Sequence, residues 1–131
     1  IAPKLGTLIA EDDTVVPVNH SLLTAASVLY DAVYVPGGIN SIATLEKDPD
    51  AVHFLNEAYR HCKAIAADES ARQVLSATGF AKKLPGANDA DAAREEGVII
   101  SGDPAALVKN FAVAIAGHRF WDREPSRKVP A

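Results

Sequence analysis

The apolar positions of the chain follow two rhythms, short β-prone runs and longer stretches spaced by three and four. Leu8-Ile9-Ala10 and Val15-Val16 are split by Glu11-Asp12-Asp13-Thr14, and an acidic turn between two such runs predicts a surface hairpin. Ser21 is then placed to cap a short helical turn through Leu22, Leu23 and Ala26. Residues 32–35 form a strand whose Val33-Tyr34-Val35 run is of the kind covered on both faces, and it ends in Pro36-Gly37-Gly38. One or two helical turns are expected over residues 39–45. Asp48-Pro49 supplies a cap and a first-turn proline. Val52, Leu55, Tyr59 and Cys62 then draw one stripe of a helix through Lys63. The small apolar residues 64–67 suit a tightly packed central strand.

After a sharp turn at Asp68-Glu69-Ser70, a helical pattern runs through Val74 and Leu75 and closes at Gly79 as C-cap. Residues 82–97, with Pro85-Gly86 and the polar run through Asn88, Asp89, Asp91 and Arg94, predict a solvated loop rather than a lid. Val98 to Ser101 is the next strand. Asp103-Pro104 repeats the cap-and-proline device, and Leu107, Val108, Phe111, Ala112 and Ile115 form the broad apolar face of a terminal helix. The tail HRFWDREPSRKVPA predicts no regular element and lies on a neighbouring surface with Phe120 and Trp121 as anchors. Strands alternating with helices define an α/β class, a flavodoxin-like three-layer sandwich with a mostly parallel sheet and helices on both faces. The expected organisation is one domain over residues 1–118 and a tail over 119–131.

Composition narrows the function classes. A length of 131 residues fits one domain, and 48% hydrophobic with 23% charged residues is ordinary globular composition. Seventeen acidic against 13 basic residues give a net charge of −4, which argues against a nucleic-acid partner. No apolar run approaches the roughly 20 residues of a membrane span, and no signal peptide opens the chain. Cys62 is the single cysteine, so no internal disulfide forms and a reducing, cytoplasmic setting is expected. Ile1-Ala2-Pro3 reads as the tail of a strand already under way, the expectation being a fragment whose N-terminal portion lies elsewhere.

A strand that runs into a glycine turn beneath a helix N-terminus is where open α/β domains place a ligand pocket. Gly37-Gly38 presents either backbone N–H groups for an anion or simply a turn that needs positive φ. In one α/β superfamily the nucleophile occupies the strand-to-helix elbow opposite such a glycine pair. Here that elbow is Asp68-Glu69-Ser70. Ser70 lacks the flanking glycines of a nucleophile elbow and has two carboxylates beside it, whereas all three residues suit a helix start. Cys62 lies in the helical stripe and is read as a packed thiol, with redox sensing the competing role. His53 and His61 are too far apart for an i, i+4 metal pair, and His20 and His118 have no partner at ligand spacing, so no metal site is expected. No G-x-G-x-x-G or Walker pattern occurs, and nucleotide binding has no specific support.

In Val35-Pro36-Gly37-Gly38 and in Lys63 to Ala67 leading to the elbow, the sequence resembles the class I glutamine-amidotransferase-like superfamily, including its intracellular protease/amidase branch. That superfamily typically carries Ala-Ala-x-Cys-His at the elbow. On this chain the cysteine position falls on Glu69 and the histidine position on Ser70, which leaves a vestigial elbow at Asp68, Glu69 and Ser70 beside a retained glycine turn at Gly37 and Gly38. The resemblance also admits an amidase- or glyoxalase-like hydrolase with a site rebuilt on Glu69 and Ser70, or a small-molecule-binding module at the glycine turn.

A more specific resemblance is carried by residues 1–6, by residues 26–38 (ASVLYDAVYVPGG), by residues 57–63 (EAYRHCK) and by residues 118–124 (HRFWDRE). Over almost its full length the chain is similar to the C-terminal domain of large-subunit, hydroperoxidase II type catalases. The resemblance implies a parent haem enzyme that converts hydrogen peroxide to water and oxygen, usually a homotetramer. Its haem lies in a β-barrel core upstream of this region, so the haem ligand and distal residues map onto nothing here. Tyr30, Tyr34 and Tyr59 are accordingly read as packing residues. The implied role is a noncatalytic accessory domain, with the catalase core and other subunits as partners, supporting stability, assembly or access and with chaperone-like behaviour among the roles of relatives. The family domain begins with one more strand and helix, whose absence leaves a sheet edge and a pocket floor open to water.

Overall fold

A computed structural model describes residues 1–86 and 96–127, the side chains of the last three excepted. The expected hairpin forms from β1 (Gly6–Ile9) and β2 (Val15–Val18), antiparallel with Gly6 opposite Val18. Its turn holds Asp13 at φ 61°, with Thr14 N–H donating to Asp12 Oδ1 at 3.1 Å. Ahead of it, Ala2 makes an isolated parallel bridge to Ser21, which gives the first residues the extended backbone their sequence suggests. Ser21 caps only a turn, its carbonyl accepting from Thr24 N and Ala25 N, and the helix expected there is instead a 3₁₀ turn at Ser27–Leu29.

The main sheet is parallel and three-stranded among the described residues, in the order β3 (Ala32–Val35), β4 (Ala64–Asp68), β5 (Val98–Ser101). Register is fixed by Val35 opposite Ala67 and Ala67 opposite Ile100. Because side chains alternate between faces, β4 builds two cores at once. Ile65 and Ala67 meet Val35 and Val98 with Leu55, Ala58, Val74 and Leu75 on one side, while Ala64 and Ala66 meet Ile99 with Leu107 and Ala114 on the other. Alanines let helices on both sides approach the central strand closely. β3 departs from expectation. Among the described residues it pairs on one side only, and Tyr34 stands 51% exposed although Ala32 on the same face packs against the second core.

Helices α1 (Ile39–Leu45), α2 (Pro49–Arg60) and α3 (Arg72–Ser76) cover the first face, and α4 (Pro104–Ala116) the second. Both aspartate-proline starts cap as their sequence predicts. Asp48 accepts from Asp50 N and Ala51 N at 2.9 and 3.2 Å, and Asp103 from Ala105 N at 3.0 Å. Two helix ends differ from expectation. α2 stops at Arg60 because Cys62 takes φ 59° at the position a glycine usually holds, with Cys62 N bonding Tyr59 O and Lys63 N bonding Ala58 O. α3 ends at Ser76 rather than Gly79, whose N–H donates instead to Asn56 Oδ1 at 2.8 Å. Of the predicted loop over residues 82–97, positions 87–95 lie outside the described residues.

The tail is more ordered than its sequence predicts. Trp121–Arg127 forms 3₁₀ turns. Phe120 packs beside α4 and its N–H donates to Cys62 O at 2.8 Å, but Trp121 is 60% exposed and anchors nothing described. The anchor is Arg123. Its buried guanidinium donates to Lys63 O and Tyr59 O at 2.8 and 3.2 Å and to Glu96 O, and lies 4.1 Å from the Tyr59 ring centre.

Candidate functional site

The C-terminal ends of β3, β4 and β5 bring the glycine turn, the elbow and the Ser101-Gly102-Asp103 turn together, which is where a parallel sheet places chemistry. Gly38 has φ 104° and begins α1, its carbonyl accepting from Ile42 N, so its conformation requires glycine. Gly37 is needed for a different reason. A Cβ there would lie 2.5 Å from Ser70 Oγ and 2.7 Å from Asp68 Oδ1. The elbow is thus pressed against the glycine turn.

Within the elbow the polar groups satisfy one another. Asp68 Oδ1 accepts from Ser70 N at 2.9 Å and from Ser70 Oγ at 2.5 Å, the geometry of a capping carboxylate. The Ser70 hydroxyl is thereby spent on a capping carboxylate, a weaker base than the imidazole that activates nucleophilic serines. Glu69 takes a two-pronged bond from Arg72, with Oε1 at 2.5 Å from Nε and Oε2 at 3.1 Å from Nη2, and Arg72 Nη1 continues to Pro85 O at 2.8 Å. The Arg72 hydrogen bond first, and its charge second, hold the Glu69 carboxyl below the usual range. At neutral pH Glu69 is therefore an ionised acceptor, unsuited to act as nucleophilic thiolate or proton donor. With Glu11 Oε1 3.9 Å from the Cβ site of Gly38 and Asp68 Oδ1 2.7 Å from that of Gly37, two carboxylates stand beside the glycine turn, which weighs against an anion there.

An opening lies beside this site. A cavity of about 530 Å³ runs beneath the free edge of β3, lined by Ile1, Leu8, Ile9, Tyr30, Val33 and Phe54 among others, and it includes Pro36 but none of the glycine pair or elbow residues. This mainly apolar trough follows β3 and the start of α1, with Asn40, Ser41 and Thr44 also in its lining.

The remaining candidates have structural work. Cys62 is fully buried, with Sγ 3.9 Å from Arg60 O. His61 Nδ1 meets Ser27 Oγ at 3.2 Å, His20 sits edge-on to Tyr30, and His118 turns the chain at φ 65° after α4. Among the described residues no group of three His, Cys, Asp or Glu side chains is gathered to hold a metal. Two of the tyrosines are engaged in packing. Tyr30 packs edge-on against Phe54, and Tyr59 lies between Phe80 and Arg123 with its hydroxyl donating to Glu96 at 2.5 Å. Burial first, and the Glu96 carboxylate second, push the Tyr59 phenol above its ordinary value, so the phenolate an iron would take is strongly disfavoured.

Sequence reasoning passed over Lys63 and Arg123 as functional elements of the fold. Lys63 Nζ is buried on the carbonyls of Ser27 (2.6 Å) and Tyr30, and burial lowers its pKa. The only signal for either was a cation next to aromatic or small apolar neighbours.

Fold and site together define an α/β domain with a parallel sheet, helices on both faces and a strand-to-helix elbow whose Glu69 carboxylate is paired with Arg72. A solved two-domain protein from Anabaena variabilis containing DJ-1/ThiJ/PfpI-like and ferritin-like domains is similar in structure, with TM-score 0.61 and 18% identity over 98% of this chain and 40% of that one. The chain belongs to the family of the C-terminal domain found in long catalases, which it matches over residues 3–125. Catalase HPII of Mycobacterium avium is 38% identical over 131 residues, covering 96% of this chain and 18% of the relative. Catalase-2 of Bacillus subtilis is 34% identical over 94% of this chain and 16% of the relative. The chain thus spans less than a fifth of these relatives' length.

Proposed function

We propose that this chain is the noncatalytic C-terminal accessory domain of a large-subunit haem catalase, with the domain proper over residues 1–118 and a tail over 119–131. The parent reaction is the conversion of hydrogen peroxide to water and oxygen, carried out on haem held outside this chain, in a homotetramer that the domain supports through stability or access. The observation that carries the reading is the closed elbow. The glycine turn of an active site is retained, while Glu69 and Ser70 are committed to Arg72 and Asp68 in the place of a thiolate and its base. In this setting the free edge of β3 and the trough beneath it are the seat of a further strand of the complete domain.

The test uses the chain itself. Mixed with haemin and peroxide, it is expected to show neither a coordinated haem spectrum nor oxygen evolution, and no turnover of amide, peptide or dicarbonyl substrates. Oxygen evolution from this chain contradicts the proposal. So does hydrolysis that disappears in the Glu69→Ala, Ser70→Ala double variant.

A further inference from the structure

Two helices of this domain offer an internal comparison. α2 and α4 both start with a capping aspartate and a first-turn proline, and each covers one face of the same sheet. One, four, eight and eleven residues after its proline, α2 carries Asp50, His53, Glu57 and Arg60, the polar stripe of an ordinary surface helix. At the same four offsets α4 carries Ala105, Val108, Ala112 and Ile115, all exposed, Val108 at 69% and Ile115 at 43%. The sheet-facing side of α4 is already used by Leu107, Phe111 and Ala114. α4 is therefore apolar on two sides, with Lys109 its single charge. A helix of that kind is normally enclosed on both sides.

We propose that the outer stripe of α4 is the surface through which this domain docks on the body of the long catalase polypeptide, against an apolar row on that body. The inference rests on the preceding reading and names the face that makes the contact. The occupant follows from how much chain lies outside this one. The relatives carry more than four-fifths of their length beyond the matched segment, in a family defined as a C-terminal domain of long catalases. The stripe's 3-4-3 spacing suits a neighbour laid along the helix, as in helix-on-helix packing.

The test compares the Val108→Lys, Ile115→Lys double variant in the full-length polypeptide and in the 131-residue chain. Both positions are exposed, so the circular dichroism and melting of the chain alone stay as in wild type. In the full-length protein the variant is expected to release the domain to limited proteolysis roughly tenfold faster, with the oxygen-evolution rate per haem unchanged. Release at the wild-type rate overturns the proposal. So does a chain that sediments alone as a dimer and is made monomeric by the two lysines, which assigns the stripe to a second copy. A second probe needs no disruptive change. Val108→Cys is expected to react with a maleimide about tenfold more slowly in the full-length protein than in the chain alone, and equal rates again overturn the docking. Failure of the underlying reading is seen separately, as a full-length polypeptide that binds no haem and evolves no oxygen.

Discussion

At the scale of single residues, the contact between Gly37 and the elbow is the sharpest feature of the candidate site. A methyl group at position 37 has no free volume, since Ser70 Oγ and Asp68 Oδ1 already fill it. Gly37→Ala is expected to lose about 1–3 kcal/mol of stability in chemical denaturation, with Ser70→Ala restoring part of the loss because the two positions share one contact. Independent, additive losses would show that the elbow does not press on the turn. Tyr59 gives a second prediction. Its folded phenol stays protonated above its ordinary value, while in the unfolded chain it ionises near pH 10. From about pH 10 upward the unfolded state binds fewer protons, so stability falls as pH rises. Tyr59→Phe should show a shallower decline than wild type between about pH 9 and 11. Equal slopes would place the alkaline sensitivity on another group. The sequence displayed Gly37, Glu69 and Ser70 as an altered site, because the resemblance fixes which positions should hold the thiol and the imidazole. It hid the Asp68–Ser70 bond and the Cys62 turn, since both depend on where a backbone bends and cysteine is an unusual residue for a left-handed helix end.

Elements were legible where local chemistry decides them. The hairpin around its acidic turn, the run of strand β4 and the two aspartate-proline helix starts all follow from residues adjacent in sequence. The apolar face assigned to α4 was not resolved into a buried and an exposed stripe, because periodicity identifies an apolar side but not what lies against it. The tail was least legible. Its order comes from Arg123 reaching carbonyls at the starts of β4 and β5, contacts between segments 60 and 27 residues apart in sequence. Arg123→Ala removes the guanidinium donors from Lys63 O and Glu96 O, and from Tyr59 O, which keeps its bond from Cys62 N, and should cost about 3 kcal/mol in urea unfolding. A loss under about 0.5 kcal/mol, typical of surface positions, would mean that the tail is not held this way. Asp103→Ala should cost about 1 kcal/mol through the lost α4 cap.

For the whole molecule, a parallel sheet with helices on both faces carries a chain of the family found at the C-terminus of long catalases. At the ends of its strands the glycine turn and the elbow are closed on each other by their own side chains. What the fold still offers is surface: an open strand edge above an apolar trough, and a helix apolar on both sides. Both suit a domain that works by contact with a larger catalase rather than by turnover. The most direct measurement is oxygen evolution per haem at 25 °C in the full-length polypeptide with and without this domain, alongside the half-life of activity on heating. The account predicts an initial rate within about twofold of the intact enzyme and a markedly shorter half-life at elevated temperature. A rate per haem that falls by about tenfold or more at 25 °C, with haem content and assembly unchanged, would contradict it by showing that the domain takes part in the reaction.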